Sequence, residues 1–506
     1  MVRHQTLQTL LAAGADAAAA IGAPDRAPLS HGGLRTLAAR TVEQLNGVGI
    51  GRGDRVAIVL PNGPEMASAF IAIAAGATTA PLNPAYKAEE FDFYLGDLGA
   101  RALVVAQGWD TPARAVAVAR GVPIIELVTG EIAGDFTLRP DAALVGSAAL
   151  PGWAEADDVA LVLHTSGTTS RPKIVPLRQR NICASAAHIG ASLALTPDDV
   201  CLNIMPLFHI HGLIAAVLSS LAAGASVVCT PGFNAFRHFT WFAQVRPTWI
   251  TAVPTMHQTI LGLAERNRDT IAAGRLRLLR SSSASLPPQV MTALEESFGV
   301  PVIEAYGMTE AAHQMACNPL PPRARHPGSV GIAAGPDIAI MRADGSLCAT
   351  DELGEVVIAG PNVTDGYENN AKANAEAFTN GWFRTGDQGY LDADGYLRLT
   401  GRLKELINRG GEKVSPLEVD TVLMDHPAVA QVVTFAMPHQ SLGEEVAAAV
   451  VLRPGESVTE PALREFAATR IAAFKVPRKI VFLDEIPKGA TGKLQRIGLA
   501  EKLGLG

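Results

Sequence analysis

Lys493 closes the loop Pro487-Lys-Gly-Ala-Thr-Gly-Lys493 and is a compact point charge on a glycine-containing support. Such a charge suits a phosphorus centre that gathers negative charge as it is transferred. Three upstream segments carry groups that suit the same chemistry. The first, Thr165-Ser-Gly-Thr-Thr-Ser-Arg-Pro-Lys173, contains Thr165, Ser166, Gly167, Thr168, Thr169 and Lys173. Glycine lets a backbone approach closely, and hydroxyls with amide N–H groups suit phosphate oxygens. The segment lacks the Gly-x-x-x-x-Gly-Lys-Ser/Thr spacing, so it is not a Walker loop. The second is Tyr306-Gly-Met-Thr-Glu310. Its aromatic can stack on a base, Thr309 can bond a phosphate, and Glu310 can hold Mg²⁺ through oxygen. The third pairs Asp387, in a glycine-bounded turn able to accept from two ribose hydroxyls, with Arg402, which adds a ribose or phosphate contact. Each segment alone also has a plain reading: a surface turn, a helix start capped by Thr309, a surface ion pair, a solvated lysine.

The elements that must position these groups alternate. Residues 55–60 read as a strand and 64–75 as a helix, and the strand at 158–163 feeds the Thr165–Lys173 loop. A helix at 213–223 is followed by strands at 225–229, 249–253, 276–279 and 302–304, with 287–298 helical between the last two. Such alternation predicts α/β architecture with mostly parallel sheets. From about residue 380 glycines punctuate short strands, as in a meander. After Arg402 a compact pattern follows: helix 416–424, strands 429–436 and 445–452, helix 460–472 and strand 480–483. It is long enough for a core of its own, with a boundary near 401–404.

With 506 residues the chain exceeds one core, and 48% hydrophobic with 18% charged residues is ordinary globular composition. The net charge is −7 and no basic stripe stands out, which argues against a nucleic-acid partner. Cys183, Cys201, Cys229, Cys317 and Cys348 are scattered and odd in number, which fits a reduced cytoplasmic protein better than a disulfide scaffold. No signal-peptide core or apolar run of about 18 residues is visible, so no membrane span is expected. The C-terminal Gly-Leu-Gly is not a peroxisomal tripeptide.

Together, and in this order, the four segments resemble the adenylate-forming superfamily of acyl-CoA synthetases, nonribosomal-peptide adenylation domains and luciferases. The resemblance runs from about residue 30 to 497. It implies an α/β fold in which residues 1–402 form an N-terminal adenylation domain of two α/β/α-type subdomains plus a small β-rich one. A small, mobile α+β domain, residues 403–506, carries the catalytic lysine. It implies two half-reactions, an acid first joined to AMP from Mg·ATP and then passed to a thiol, with Mg²⁺ and coenzyme A as partners of ATP. By the resemblance Lys493, Glu310, Thr309 and His209 are catalytic, and Glu310 is the Mg²⁺ ligand. Thr165, Ser166, Gly167, Thr168, Thr169, Lys173, Ser283, Ala284, Tyr306, Gly307, Thr309, Asp387 and Arg402 contact ATP or AMP. Lys404 is the hinge, and Gly410, Gly411 and Lys413 face coenzyme A after rotation.

The acid pocket departs from the common pattern. Ser281-Ser-Ser-Ala-Ser-Leu286 stands where Ser-Gly-Ala-Ala-Pro-Leu is usual, so Ser282 replaces a glycine that borders the acyl tunnel. His209, His211 and His313 lie in neighbouring motifs. The combination, with Ser170 in the phosphate loop, Thr251–His257, Cys317–Leu320 and 407–413, is similar to the oxalate–CoA ligases of plants and fungi. Ile174 and Arg178 depart from the loop's common pattern. The resemblance makes His209, His211, Ser282 and His313 the acyl-substrate residues. An alkyl chain there would leave buried polar groups unpaired, at roughly 1–3 kcal/mol each, whereas a small diacid would pair them. The plain reading is that the serines bond backbone and line nothing. Other readings are a short- or medium-chain acyl-CoA synthetase, a carrier-protein adenylation domain, or a zinc site from His209, His211, His257 and His313. Residues 233–236 offer no aspartate to hold a substrate amine, which favours coenzyme A over a carrier protein. Small molecules are the expected partners, and an oligomer is left open.

Overall fold

Strands buried on both faces read as unbroken apolar runs, and the central strands here show why. In Arg55–Val59, Val56 and Ile58 enter one core while Ala57 and Val59 enter another. Trp249 and Leu278 likewise join the first core, and their neighbours Ile250 and Leu279 a third. The first core is therefore shared between two large sheets, and each sheet carries a further layer on its other face. The computed structural model describes residues 4–165, 172–489 and 493–506.

The seven-stranded sheet has Arg55–Val59 at its centre and parallel neighbours, with antiparallel strands only at its two edges. One edge is the hairpin Val159–Thr165 with Lys173–Arg178, paired Thr165 to Lys173. The nine-stranded sheet runs parallel through Val302–Met308, Leu278–Ser282, Trp249–Ala252, Val200–Asn203 and Ser226–Cys229. A five-stranded antiparallel sheet follows, ending in Trp382–Leu391 and Leu397–Arg402. The C-terminal sheet contains Ile407–Arg409, Glu412–Val414, Val429–His439, Gly443–Leu452 and Lys479–Phe482 over its own apolar cluster. The α/β class and the small separate C-terminal sheet match expectation.

Several expected elements shift. The helix expected at 213–223 is a π-helix, His211–Leu218, followed by the short α-helix Ser219–Ala222. A Cβ on Gly212 would stand 2.3 Å from the Pro206 carbonyl, so this element starts in a space that only glycine fits. The strand expected at 276–279 is Leu278–Ser282, because Ser281 and Ser282 pair in register with Glu304 and Ala305. The helix expected to reach 472 stops at Ala468. The hairpin Ala19–Ala23 with Arg26–Ser30, not foreseen, extends the nine-stranded sheet. Among the described residues no helix is long and apolar enough to cross a membrane. No group of His, Cys, Asp or Glu is placed there to hold a metal ion.

Candidate active site

The two arms of one hairpin build a polar triad with Tyr306. Trp382–Leu391 and Leu397–Arg402 pair antiparallel with Asp387 opposite Arg402. Arg402 Nε donates to Asp387 Oδ1 at 2.9 Å, and the Tyr306 hydroxyl donates to Oδ2. Asp387 is 5% exposed, so register, not chance surface pairing, holds the triad of Tyr306, Asp387 and Arg402 together. Burial, with Asp387 alongside, holds the Tyr306 hydroxyl well above its usual range. An aromatic ring beside a carboxylate with spare lone pairs is a cradle for a base and its ribose.

After Tyr306 the chain turns back on itself. Gly307 pairs with Gln314 and Met308 with His313, and a Cβ on Gly307 would lie 1.7 Å from the His313 carbonyl. Gly307 is thus required by this close hairpin. Between its arms sits the short 3₁₀ turn Thr309–Ala311, which leaves Thr309 part-exposed and Glu310 buried. The Tyr367 hydroxyl donates to Glu310 Oε1 at 2.8 Å, and Lys173 Nζ lies 4.2 Å from the Tyr367 ring centre. Desolvation raises the Glu310 carboxyl, as expected of a buried carboxylate whose hydrogen-bond partner is a neutral phenol. A divalent cation suits such an oxygen donor. Tyr367 went unnoticed in the sequence because its only local mark is the neighbouring Gly366, at φ 138°. Backbone bonds tie its segment to the phosphate-loop hairpin: Glu368 N donates to Ile174 O at 3.1 Å, and Thr364 Oγ1 to Pro176 O at 2.8 Å. Arg178 pairs with Asp365 at 2.5 Å, so this departure from the common loop pattern clamps the same segment. Thr165 and Lys173 flank the loop, whereas Ser166, Gly167, Thr168 and Thr169 lie outside the described residues.

The acid side is built at the end of Leu278–Ser282. Ser282 is fully buried, and its hydroxyl donates to the Ala305 carbonyl at 2.8 Å. The hydrogen expected to meet a substrate is therefore committed to backbone, and the local-bonding reading holds for this serine. The next residue, Ser283, sits in the left-handed region at φ 76° and brings its Oγ to 3.0 Å from His211 Nδ1. His211 Nε2 lies 2.6 Å from Thr251 Oγ1, and its ring packs edge-on against His313 with centroids 5.0 Å apart. His313 also has positive φ, at 110°, follows Ala312 at 48°, and leaves its buried Nδ1 without a hydrogen-bond partner. Left-handed backbone at three non-glycine positions is strain of the kind that collects at functional sites. Burial pushes His209 down to about 3, and His211 and His313 well below the usual imidazole range. All three are neutral near pH 7. His257 takes no part: its Nε2 contacts the Arg280 carbonyl at 2.9 Å. Ala284 is exposed beside the turn.

Lys493 arrives from the C-terminal sheet. Its carbonyl accepts from Gly489 N at 2.8 Å, and Arg496 anchors the loop to Asp420 at 2.8 Å and Glu405 at 3.2 Å. Its ammonium lies within electrostatic range of Arg402, Asp387, His209, His211 and His313. The Tyr306–Asp387–Arg402 triad and the histidine cluster thus both lie within electrostatic range of the lysine. Gly410, Gly411 and Lys413, on the hairpin between Ile407–Arg409 and Glu412–Val414, are exposed, as is Lys404. Burial, with Arg402 adding repulsion, pushes Lys493 down to about 8. Because the charged form is lost as pH rises through that value, kcat/KM for ATP in adenylate formation is expected to fall above pH about 8. Lys493→Arg, charged throughout, flattens that limb. Initial rates of pyrophosphate exchange from pH 6 to 10 check this; identical limbs in both proteins contradict it.

Residues 8–368 match the family model of the AMP-binding enzymes, and residues 418–493 that of the AMP-binding enzyme C-terminal domain. An oxalate–CoA ligase of Arabidopsis thaliana is 46% identical over 475 residues, covering 92% of each chain. One of Saccharomyces cerevisiae is 42% identical, covering 89% of this chain and 87% of its own. The ATP-bound crystal structure of MatB from Rhodopseudomonas palustris superposes with a TM-score of 0.88 at 30% identity, covering 98% of both chains. The apo form of MatB gives a TM-score of 0.79 at 29% identity. The chain belongs to the family of AMP-binding enzymes.

Proposed function

We propose that this chain is an ATP-dependent, AMP-forming acid–CoA ligase whose preferred acid is oxalate or a close small diacid. The observation that carries this is a polar cluster of Ser283, His211 and His313, within electrostatic range of Lys493, which itself faces the Tyr306–Asp387–Arg402 triad. Two relatives named as oxalate–CoA ligases support the choice of acid.

One carboxylate oxygen of the acid attacks the α-phosphorus of ATP, and the bond to pyrophosphate breaks. Lys493 offsets the charge that gathers there, while Tyr306, Asp387 and Arg402 fix the nucleoside and Thr165, Lys173 and Thr309 its phosphates. Glu310 would hold Mg²⁺, which supplies charge neutralisation when bound. In the second step the thiol sulfur of coenzyme A attacks the acyl carbon, AMP leaves, and the thiol proton passes to solvent. For this we divide the chain into domains 1–402 and 403–506, with Lys404 as the hinge. Rotation about it carries Lys493 away and brings Gly410, Gly411 and Lys413 to the pocket. His209, beside Lys493, borders the path to the acid.

The test is AMP release with purified protein, Mg·ATP and coenzyme A across oxalate, malonate, acetate, hexanoate and coumarate. Mispairing even one buried polar group costs roughly 1–3 kcal/mol, so oxalate is expected to exceed the monoacids by about tenfold or more in kcat/KM. A preference for hexanoate or coumarate overturns the choice of acid.

A further inference from the structure

Arg280, on Leu278–Ser282, is fully buried and stays positive at neutral pH, since burial lowers its guanidinium only to about 10. Among the described residues no carboxylate pairs with it. Nη1 donates to Thr251 Oγ1 at 3.3 Å, Nη2 donates to Gln314 Oε1 at 3.1 Å, and Nε has no partner. Gln314 is itself held in that orientation, because its Nε2 donates to Ser192 Oγ and to the Ala334 carbonyl, both at 3.0 Å. A buried charge without a counter-charge is costly, and an anion bound nearby relieves that cost.

An arginine only donates, so a hydroxyl in contact with it accepts and keeps its own hydrogen for another partner. Thr251 Oγ1 accepts from Arg280, and its own hydrogen has one acceptor in contact, His211 Nε2. With Thr251 donating to Nε2, neutral His211 carries its proton on Nδ1 and donates it to Ser283 Oγ. The Ser283 hydrogen then has no acceptor in hydrogen-bond contact among the described residues. We infer that Arg280 is a positioning residue that determines acid specificity: through Thr251 and His211 it turns the Ser283 hydroxyl into a donor for the second carboxylate of a diacid. The inference rests on the substrate reading above and adds the residue that enforces it.

Thr251→Val removes the relay while keeping shape, Arg280→Met removes its source, and Arg280→Lys keeps charge and donors. Each is assayed for KM and kcat with oxalate, with acetate and for ATP, alongside wild type. Thr251→Val and Arg280→Met are expected to raise the KM for oxalate about tenfold to a hundredfold, with KM for ATP and kcat/KM for acetate changed less than about twofold. Arg280→Lys is expected to recover most of the loss. Equal losses on oxalate and acetate, or an unchanged oxalate KM in Thr251→Val, overturn the role of Arg280. Should Arg280→Met fail to fold, Thr251→Val decides. A wild-type protein that ignores oxalate overturns the substrate reading itself, which separates the two failures.

Discussion

Lys493→Ala is expected to lower ATP–pyrophosphate exchange by about a hundredfold to a thousandfold while leaving thioester formation from supplied acyl-adenylate near the wild-type rate. Losing one preorganised charge at a reacting centre has effects of that size. The asymmetry follows from where the lysine sits. It approaches Asp387, Arg402 and the three histidines from a loop of the C-terminal sheet, held by Arg496 to Asp420 and Glu405. In the proposed mechanism adenylation needs its charge, whereas attack of a thiol on a finished adenylate does not. Equal loss in both half-reactions would contradict this placement.

Lys404→Pro is expected to do the reverse, lowering thioester formation by about tenfold or more while pyrophosphate exchange persists. Lys404 is exposed between Leu397–Arg402 and Ile407–Arg409, and its backbone N–H makes no hydrogen bond among the described residues. Proline there removes no backbone hydrogen bond among the described residues. It fixes φ and restricts Leu403 before it, which hampers a hinge. In the proposed second step the two exposed glycines of the 407–414 hairpin, at φ 59° and 97°, move to the acid. Normal overall turnover in this variant would remove the case for rotation about Lys404.

The sequence made the nucleotide side legible because its chemistry lies in short contiguous motifs. Tyr306, Asp387 and Arg402 are joined by hydrogen bonds in the fold, and Arg402 also acts electrostatically on Glu310. The acid side was less legible, because a shift of one residue in a strand end decides which serine faces where. Ser281 and Ser282 are drawn into the strand by pairing with Glu304 and Ala305, so Ser283, not Ser282, meets His211. Tyr367 and Arg280 were not singled out at all. Each acts through tertiary contacts, Tyr367 with Glu310 and Lys173, Arg280 with Thr251 and Gln314, and no local spacing announces either. The π-helix His211–Leu218 was read as an ordinary helix, since its apolar run has the same composition in either winding.

The most direct measurement offers the purified protein Mg·ATP, coenzyme A, and oxalate and hexanoate in equal amounts, and identifies the thioester by mass together with the nucleotide released. Oxalyl-CoA as the dominant thioester, with one AMP formed per thioester, is the expected result. Hexanoyl-CoA as the main product, or ADP in place of AMP, would contradict it.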